Sequence, residues 1–210
     1  MLDFGHICLS ERPLIVCDID EVVLEFLTPL RNFLNSSGHD LLPRSFKLHG
    51  NIVAIDSGEP VSDVRTSAFL EEFFALQDRW QTPADRVVET LADLANDADI
   101  VFLTAMAPRH AGTRRTLLDR YGLHYPLLAS EEPKGPIIQR LHDARDVPLV
   151  FIDDILRNLQ SVQACAPDCL LINLMANAEF RAMAPHPGDG IMSANGWTQT
   201  AEIIREHLFR

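Results

Sequence analysis

The sequence predicts an α/β fold: a doubly wound parallel sheet that carries a small, mainly helical insertion. Three observations lead there. Short apolar runs recur along the chain, as LIVCDI from Leu14, DIVFLTA from Asp99, YPLLAS from Tyr125, PLVFIDD from Pro148 and CLLINLM from Cys169. They are nearly continuous rather than alternating, the pattern of strands buried on both faces in a parallel sheet. Segments of helical period separate most of them, and strand–helix alternation builds helices onto both faces through right-handed crossovers. The third observation is one long interruption of that alternation.

In chain order, the run from Leu14 is the first strand. The next strand should arrive after one helix, yet the chain spends close to 60 residues between Leu24 and Gln81, longer than an ordinary crossover. Residues 1–24 and 82–210 therefore read as the core and 25–81 as an inserted cap. Within the insertion, FLTPLRNFLNSSG and VSDVRTSAFLEEFFALQDRW have helical spacing, and FKLHGNIVAIDSGEPV alternates around a Ser57-Gly58 turn as a hairpin would. PADRVVETLADLAND reads as a helix with Thr82 as N-cap and Pro83 in its first turn. PRHAGTRRTLLDRYGL reads as another, closed by Gly122, and KGPIIQRLHDAR, ILRNLQSVQACA and WTQTAEIIREHLF complete the set.

Composition narrows the class. With 47% hydrophobic residues in a chain of 210, one core with an inserted subdomain is affordable. The apolar stretches are too short to cross a bilayer, and MLDFGHICLSERP has neither a basic leader nor an apolar signal core, so a cytoplasmic protein without a membrane partner is expected. A formal charge of −12 argues against nucleic acid, whose binding needs a basic surface to release counterions. Cys8, Cys17, Cys165 and Cys169 make no disulfide framework in a chain of this size. Cys165 and Cys169 read as a helix end and the start of a strand rather than a zinc pair. Arg109, Arg114 and Arg115 cluster locally, which leaves room for a small anionic ligand.

Polar residues end the strands. Asp18 and Asp20 close the first, Thr104 the second and Asp153-Asp154 the fourth, while Lys134 opens the helix after the third. Ligands bind at the carboxyl ends of parallel strands, so these groups converge on one crevice. Each like-charge pair at about 4 Å costs roughly 4 kcal/mol at an effective dielectric of 20, so four carboxylates beside one lysine need a further cation. Oxygen ligands without histidine or thiolate favour Mg²⁺.

The set DIDEV, LTA, Lys134 and IDDILRN, in that order, resembles the four motifs of the haloacid dehalogenase-like superfamily over nearly the whole chain. The resemblance implies a Rossmann-like core with a cap inserted after the first motif. It casts Asp18 as a nucleophile that forms an aspartyl-phosphate, and Asp20 as general acid and then base. Metal ligands would be the Asp18 side chain, the backbone carbonyl of Asp20 and the Asp154 side chain, with Asp153 a neighbour or additional ligand. Thr104 and the adjacent amide of Ala105 would bind phosphoryl oxygens, Lys134 would counter their charge, and Asn158 would orient the acidic cluster. An acid at Asp20 resembles phosphatases rather than dehalogenases, while Glu21 stands where many relatives have glycine and leaves the substrate class open.

The implied substrate is a small phosphorylated metabolite, a sugar phosphate or nucleoside monophosphate, enclosed by the cap. Arg109 and His110, at a helix start after Pro108, suit an anion. In the cap, Lys47, His49, Arg65 and Trp80 are candidates to touch the leaving group. The alternative is a non-catalytic or signalling phosphate-binding module similar to a response-regulator receiver. Receivers order their aspartates, Thr and Lys differently along the chain, with Lys last.

Overall fold

The computed structural model describes residues 2–45, 47–143 and 145–208. Strand β1 (Leu14–Cys17) is followed by the insertion, which contains helix α1 (Leu27–Ser36), strands β2 (His39–Leu41) and β3 (Ile52–Ala54), and helices α2 (Asp63–Ala75) and α3 (Gln77–Trp80). The core resumes with α4 (Val87–Leu94) and β4 (Asp99–Thr104), then a 3-10 turn at Pro108–His110 leading into α5 (Ala111–Arg120). It continues through β5 (Leu127–Ala129), α6 (Lys134–His142), β6 (Leu149–Asp153), α7 (Leu156–Cys165) and β7 (Leu170–Leu174). Helix α8 (Ala178–Arg181), strand β8 (Ile191–Ala194) and helix α9 (Trp197–Leu208) end it.

Six strands form one parallel sheet in the order β5-β4-β1-β6-β7-β8. Val16 of β1 pairs with Val101 on one side and Phe151 on the other, so β1 is central. Counting sheet strands alone, this is the 3-2-1-4-5-6 order, with its topological switch point between β1 and β6. The receiver-type sheet that the signalling alternative requires runs 2-1-3-4-5, a different order.

Successive strand residues point to opposite faces, and both faces are filled. Ile15, Cys17, Phe102 and Ile152 pack with Leu91, Leu117 and Ile204 of α4, α5 and α9. Val16, Val101 and Phe151 pack with Ile137, Ile138, Leu159 and Val162 of α6 and α7. This two-sided burial is the physical reason the strands read as unbroken apolar runs. Helices α6 and α7 meet so closely that a Cβ on Gly135 would lie 2.1 Å from the Ser161 carbonyl oxygen. Only glycine permits that approach, and it sits one residue from Lys134.

The insertion has its own apolar cluster, with Leu30, Phe33, Phe69 and Phe73 from α1 and α2 joined by Met175 from the loop after β7 and Phe180 from α8. The turn at Gly58 forms with φ +72°, but β3 pairs antiparallel with β2 (Ile52 opposite Leu41) and makes only one bridge, Val53 to Pro60, across that turn.

Two local expectations change. The helix expected from Pro83 begins at Val87, after Arg86 in the left-handed region at φ 64°. Residues 82–84 instead pair back onto the chain leaving β1: Glu25 N–H donates to the Thr82 carbonyl at 2.9 Å, and Ala84 N–H to that of Val23 at 2.9 Å. Strand β8 was not expected. It lies at the sheet edge with Met192 and Ser193 exposed, so it carries no apolar run. All four cysteines are free, Cys17 and Cys169 buried among them. Among the described residues no helix is long and apolar enough to cross a membrane.

Candidate active site

Asp18 follows β1 directly, and its backbone N–H continues the ladder by donating to the Ile152 carbonyl at 2.8 Å. That register puts the end of β1 beside the end of β6 at the switch point. Carboxylate oxygens of Asp18, Asp153 and Asp154 all lie within 4.8 Å of one another, and all three residues are buried. Lys134, 2% exposed, reaches in from the first residue of α6. Its Nζ donates to Asp18 Oδ1 and, at 2.6 Å, to Asp153 Oδ2.

The two adjacent acids at the end of β6 differ sharply. Asp153 has its oxygens occupied: Oδ1 accepts from Ile155 N–H at 2.8 Å and from Asn158 Nδ2 at 3.1 Å, while Oδ2 accepts from Lys134 and from Asn158 at 3.1 Å. It ties the start of α7 to Lys134. Asp154 faces the cavity beside Asp18, where burial and neighbouring charges act on it.

Electrostatics follow from this crowding. Burial, reinforced by Asp153 and Asp20, pushes the Asp18 carboxyl up to about 7 in spite of Lys134. Burial and then Asp153 push Asp154 well above the ordinary carboxyl range. Burial works against the charge on Lys134, but Asp153 and Asp18 outweigh it and hold the ammonium more firmly than usual. Two buried acids facing one cavity, short of positive charge, are a donor set for a hard, oxygen-binding cation.

Asp20 lies outside that cluster. The sequence suggested a crowded acidic setting; instead its side chain meets a guanidinium. Arg114 of α5, fully buried, donates from Nη2 to Asp20 Oδ1 at 2.8 Å and from Nη1 to Oδ2 at 3.2 Å. Gln81 Nε2 adds a bond to Oδ1 at 2.9 Å, Thr104 Oγ1 reaches Oδ2 at 3.4 Å, and Gln77 accepts from Arg114 Nε. Arg114, Gln77 and Gln81 carry no signature in the sequence beyond the local arginine cluster. The three arginines of that cluster have separate tasks. Arg115 holds the carbonyls of Leu123 and Tyr125, whereas Arg109 bonds Glu71 of the cap together with His110 Nε2, 2.8 Å from Glu71.

A cavity of about 420 Å³ opens above the acids, and Asp18, Asp20, Thr104, Ala105, Arg109 and Asp154 all line it. Asn158 and Lys47 line it as well; His49, Arg65 and Trp80 do not. Arg65 lies 4.0 Å over the Phe69 ring, and Trp80 packs edge-on against Phe33 at 5.7 Å. Glu21 adopts φ 68°, the conformation glycine would favour. Its buried carboxylate compensates by accepting from the N–H groups of Phe26 (3.1 Å), Leu27 (2.8 Å) and Asn177 (2.5 Å). It thus ties the root of the cap to the loop after β7.

No family model matches the sequence, and no curated protein matches it. Solved structures do. A haloacid dehalogenase-like family hydrolase from Xanthomonas campestris superposes with TM-score 0.61 at 14% identity, over 94% of this chain and 96% of its own. A haloacid dehalogenase-like family hydrolase from Streptococcus pneumoniae gives 0.57 at 12%, over 92% of this chain and 99% of its own.

This chain has the haloacid dehalogenase-like fold.

A predicted phosphoglycolate phosphatase from Haemophilus somnus shares the haloacid dehalogenase-like fold with it at TM-score 0.56 and 13% identity, over 93% of this chain and 99% of that one. The insertion between β1 and β4 is the cap of the haloacid dehalogenase-like architecture, and the acidic cluster sits beneath it.

Proposed function

We propose that the protein is a Mg²⁺-dependent phosphatase that hydrolyses a small phosphomonoester through an aspartyl-phosphate on Asp18. The observation that carries this reading is the buried Asp18 at the β1 tip, with Lys134 on one oxygen and Asp154 beside it facing the cavity. Resemblance of the whole chain to structures that include a predicted phosphoglycolate phosphatase supports it.

The side chains of Asp18 and Asp154 and the carbonyl of Asp20 would hold the cation; Asp153, occupied by Lys134 and Asn158, would position rather than ligate. When bound, Mg²⁺ would neutralise charge on the phosphoryl oxygens and favour ionised Asp18. Lys134, Thr104 and the Ala105 amide would orient the phosphoryl group. Asp18 Oδ forms a bond to phosphorus as the ester P–O bond breaks, and Asp20 gives its proton to the departing oxygen. Water then attacks phosphorus, Asp20 takes its proton, and the Asp18–P bond breaks to release inorganic phosphate. Arg114, Gln77 and Gln81 position Asp20 for both transfers.

Steady-state phosphate release from p-nitrophenyl phosphate and phosphometabolites, with Mg²⁺ or EDTA, tests this for wild type and Asp18→Asn. Turnover that EDTA abolishes and Asp18→Asn lowers by about 10³-fold or more is expected. Activity that survives either change would sink the proposal.

A further inference from the structure

The cavity above Asp18 also bears on the leaving group, an inference that rests on the phosphatase reading. Beside the acidic floor, the apolar part of its wall includes Phe26, Leu70, Phe74, Met106, Met175 and Phe180. Phe26 and Phe74 stack on one another with centroids 5.9 Å apart, giving the cap side an aromatic wall. Met106 and Met175 come from core loops and Phe180 from α8, and all three are themselves buried. Both halves of the molecule therefore present carbon to the space beyond the phosphoryl site.

Four polar groups of that wall are already engaged. Glu71 accepts from Arg109 and meets His110, and those bonds hold its carboxyl down at about 2. Asn158 donates to both oxygens of Asp153. Lys47, Ser67 and Glu131 line the cavity from exposed positions. A sugar would bury several hydroxyls, each costing free energy where no partner meets it. An apolar group would gain by leaving water. A volume of about 420 Å³ falls within the ordinary range of small-molecule sites, about 300–1,000 Å³.

The geometry points to a phosphomonoester of an apolar alcohol as the substrate class, in place of a sugar phosphate or nucleoside monophosphate. Phosphate is held at Asp18 and Lys134, and the carbon skeleton lies against Phe26, Phe74 and Leu70.

Primary alkyl phosphates test this, because ethyl, butyl and hexyl phosphate share one leaving-group chemistry and differ only in the apolar surface they bury. With Mg²⁺, kcat/KM should rise about fourfold per added methylene, about 250-fold from ethyl to hexyl. Hexyl phosphate should also outrun glucose 6-phosphate and adenosine monophosphate. Leu70→Gln should reduce the hexyl-to-ethyl ratio, and Leu70→Met should retain it. A flat chain-length series, or faster turnover of the sugar or nucleotide ester, would overturn the assignment and leave the phosphatase reading standing.

Binding of ethyl- and hexylphosphonate, measured by calorimetry with Mg²⁺, separates the two failures. Without turnover of any ester, tighter hexylphosphonate binding would overturn hydrolysis and support the apolar site, and equal or absent binding would overturn both.

Discussion

Lys134→Met removes one positive charge from a buried site that holds three carboxyl groups, while keeping most of the side-chain volume. The lysine bonds Asp18 and Asp153 simultaneously, and Asp154 has an oxygen within 4.8 Å of theirs. Taking one partner from a buried ion pair typically costs about 3–5 kcal/mol, because the other charge stays behind without compensation. For a domain of this size that is a fall in Tm of roughly 6–20 °C.

The loss has a pH dependence of known sign. Burial already pushes Asp18 up to about 7 with the lysine in place, and Asp154 upward too. Unfolding returns both to the ordinary carboxyl range near 4. The folded state therefore binds more protons than the unfolded state between about pH 4 and 7, and its stability declines as pH rises through that window. Without Lys134 both carboxyls move further up, so the window extends to higher pH. The variant's deficit should be largest at pH 8 and smaller at pH 5, where protonation removes the repulsion. Urea and thermal denaturation in EDTA at pH 5, 6.5 and 8 measure it. A deficit below about 1 kcal/mol at pH 8, or one equal at pH 5 and 8, would refute the argument that this lysine neutralises the acids.

Two further outcomes are expected. Gly135→Ala would place a methyl group against the Ser161 carbonyl at 2.1 Å, so α6 must shift from α7; urea midpoints should report a loss of about 1–3 kcal/mol, with phosphate release falling as Lys134 moves. Glu21→Gly suits the positive φ of that residue but deprives three backbone N–H groups of their acceptor; at about 1.5–3 kcal/mol for each bond to a charged group, against roughly 1–2 for relief of left-handed strain, Tm should fall, and a more stable variant would contradict this.

Much of this was legible in the chain itself. Strand runs at Leu14, Asp99, Tyr125, Pro148 and Cys169 became β1, β4, β5, β6 and β7, since a strand covered on both faces must be apolar throughout. Edge strand β8 escaped because only Ile191 and Ala194 are buried. The false start at Pro83 has a similar cause: a favourable first-turn residue was overruled by long-range pairing of Leu24 with Pro83.

At the site, the sequence pointed Asp18, Thr104, Lys134 and Asp153-Asp154 to one crevice, because each strand end is visible in local pattern and parallel strands bring their carboxyl ends to one edge of the sheet. The division of labour between Asp153 and Asp154 needed tertiary structure, since adjacent residues on a strand point opposite ways and only the packed neighbours decide which meets Lys134. The bond from Arg114 to Asp20 spans 94 positions, and the aromatic wall joins Phe26 to Phe74. Such pairings leave no periodic trace, because they depend on where whole helices dock rather than on what each segment prefers by itself.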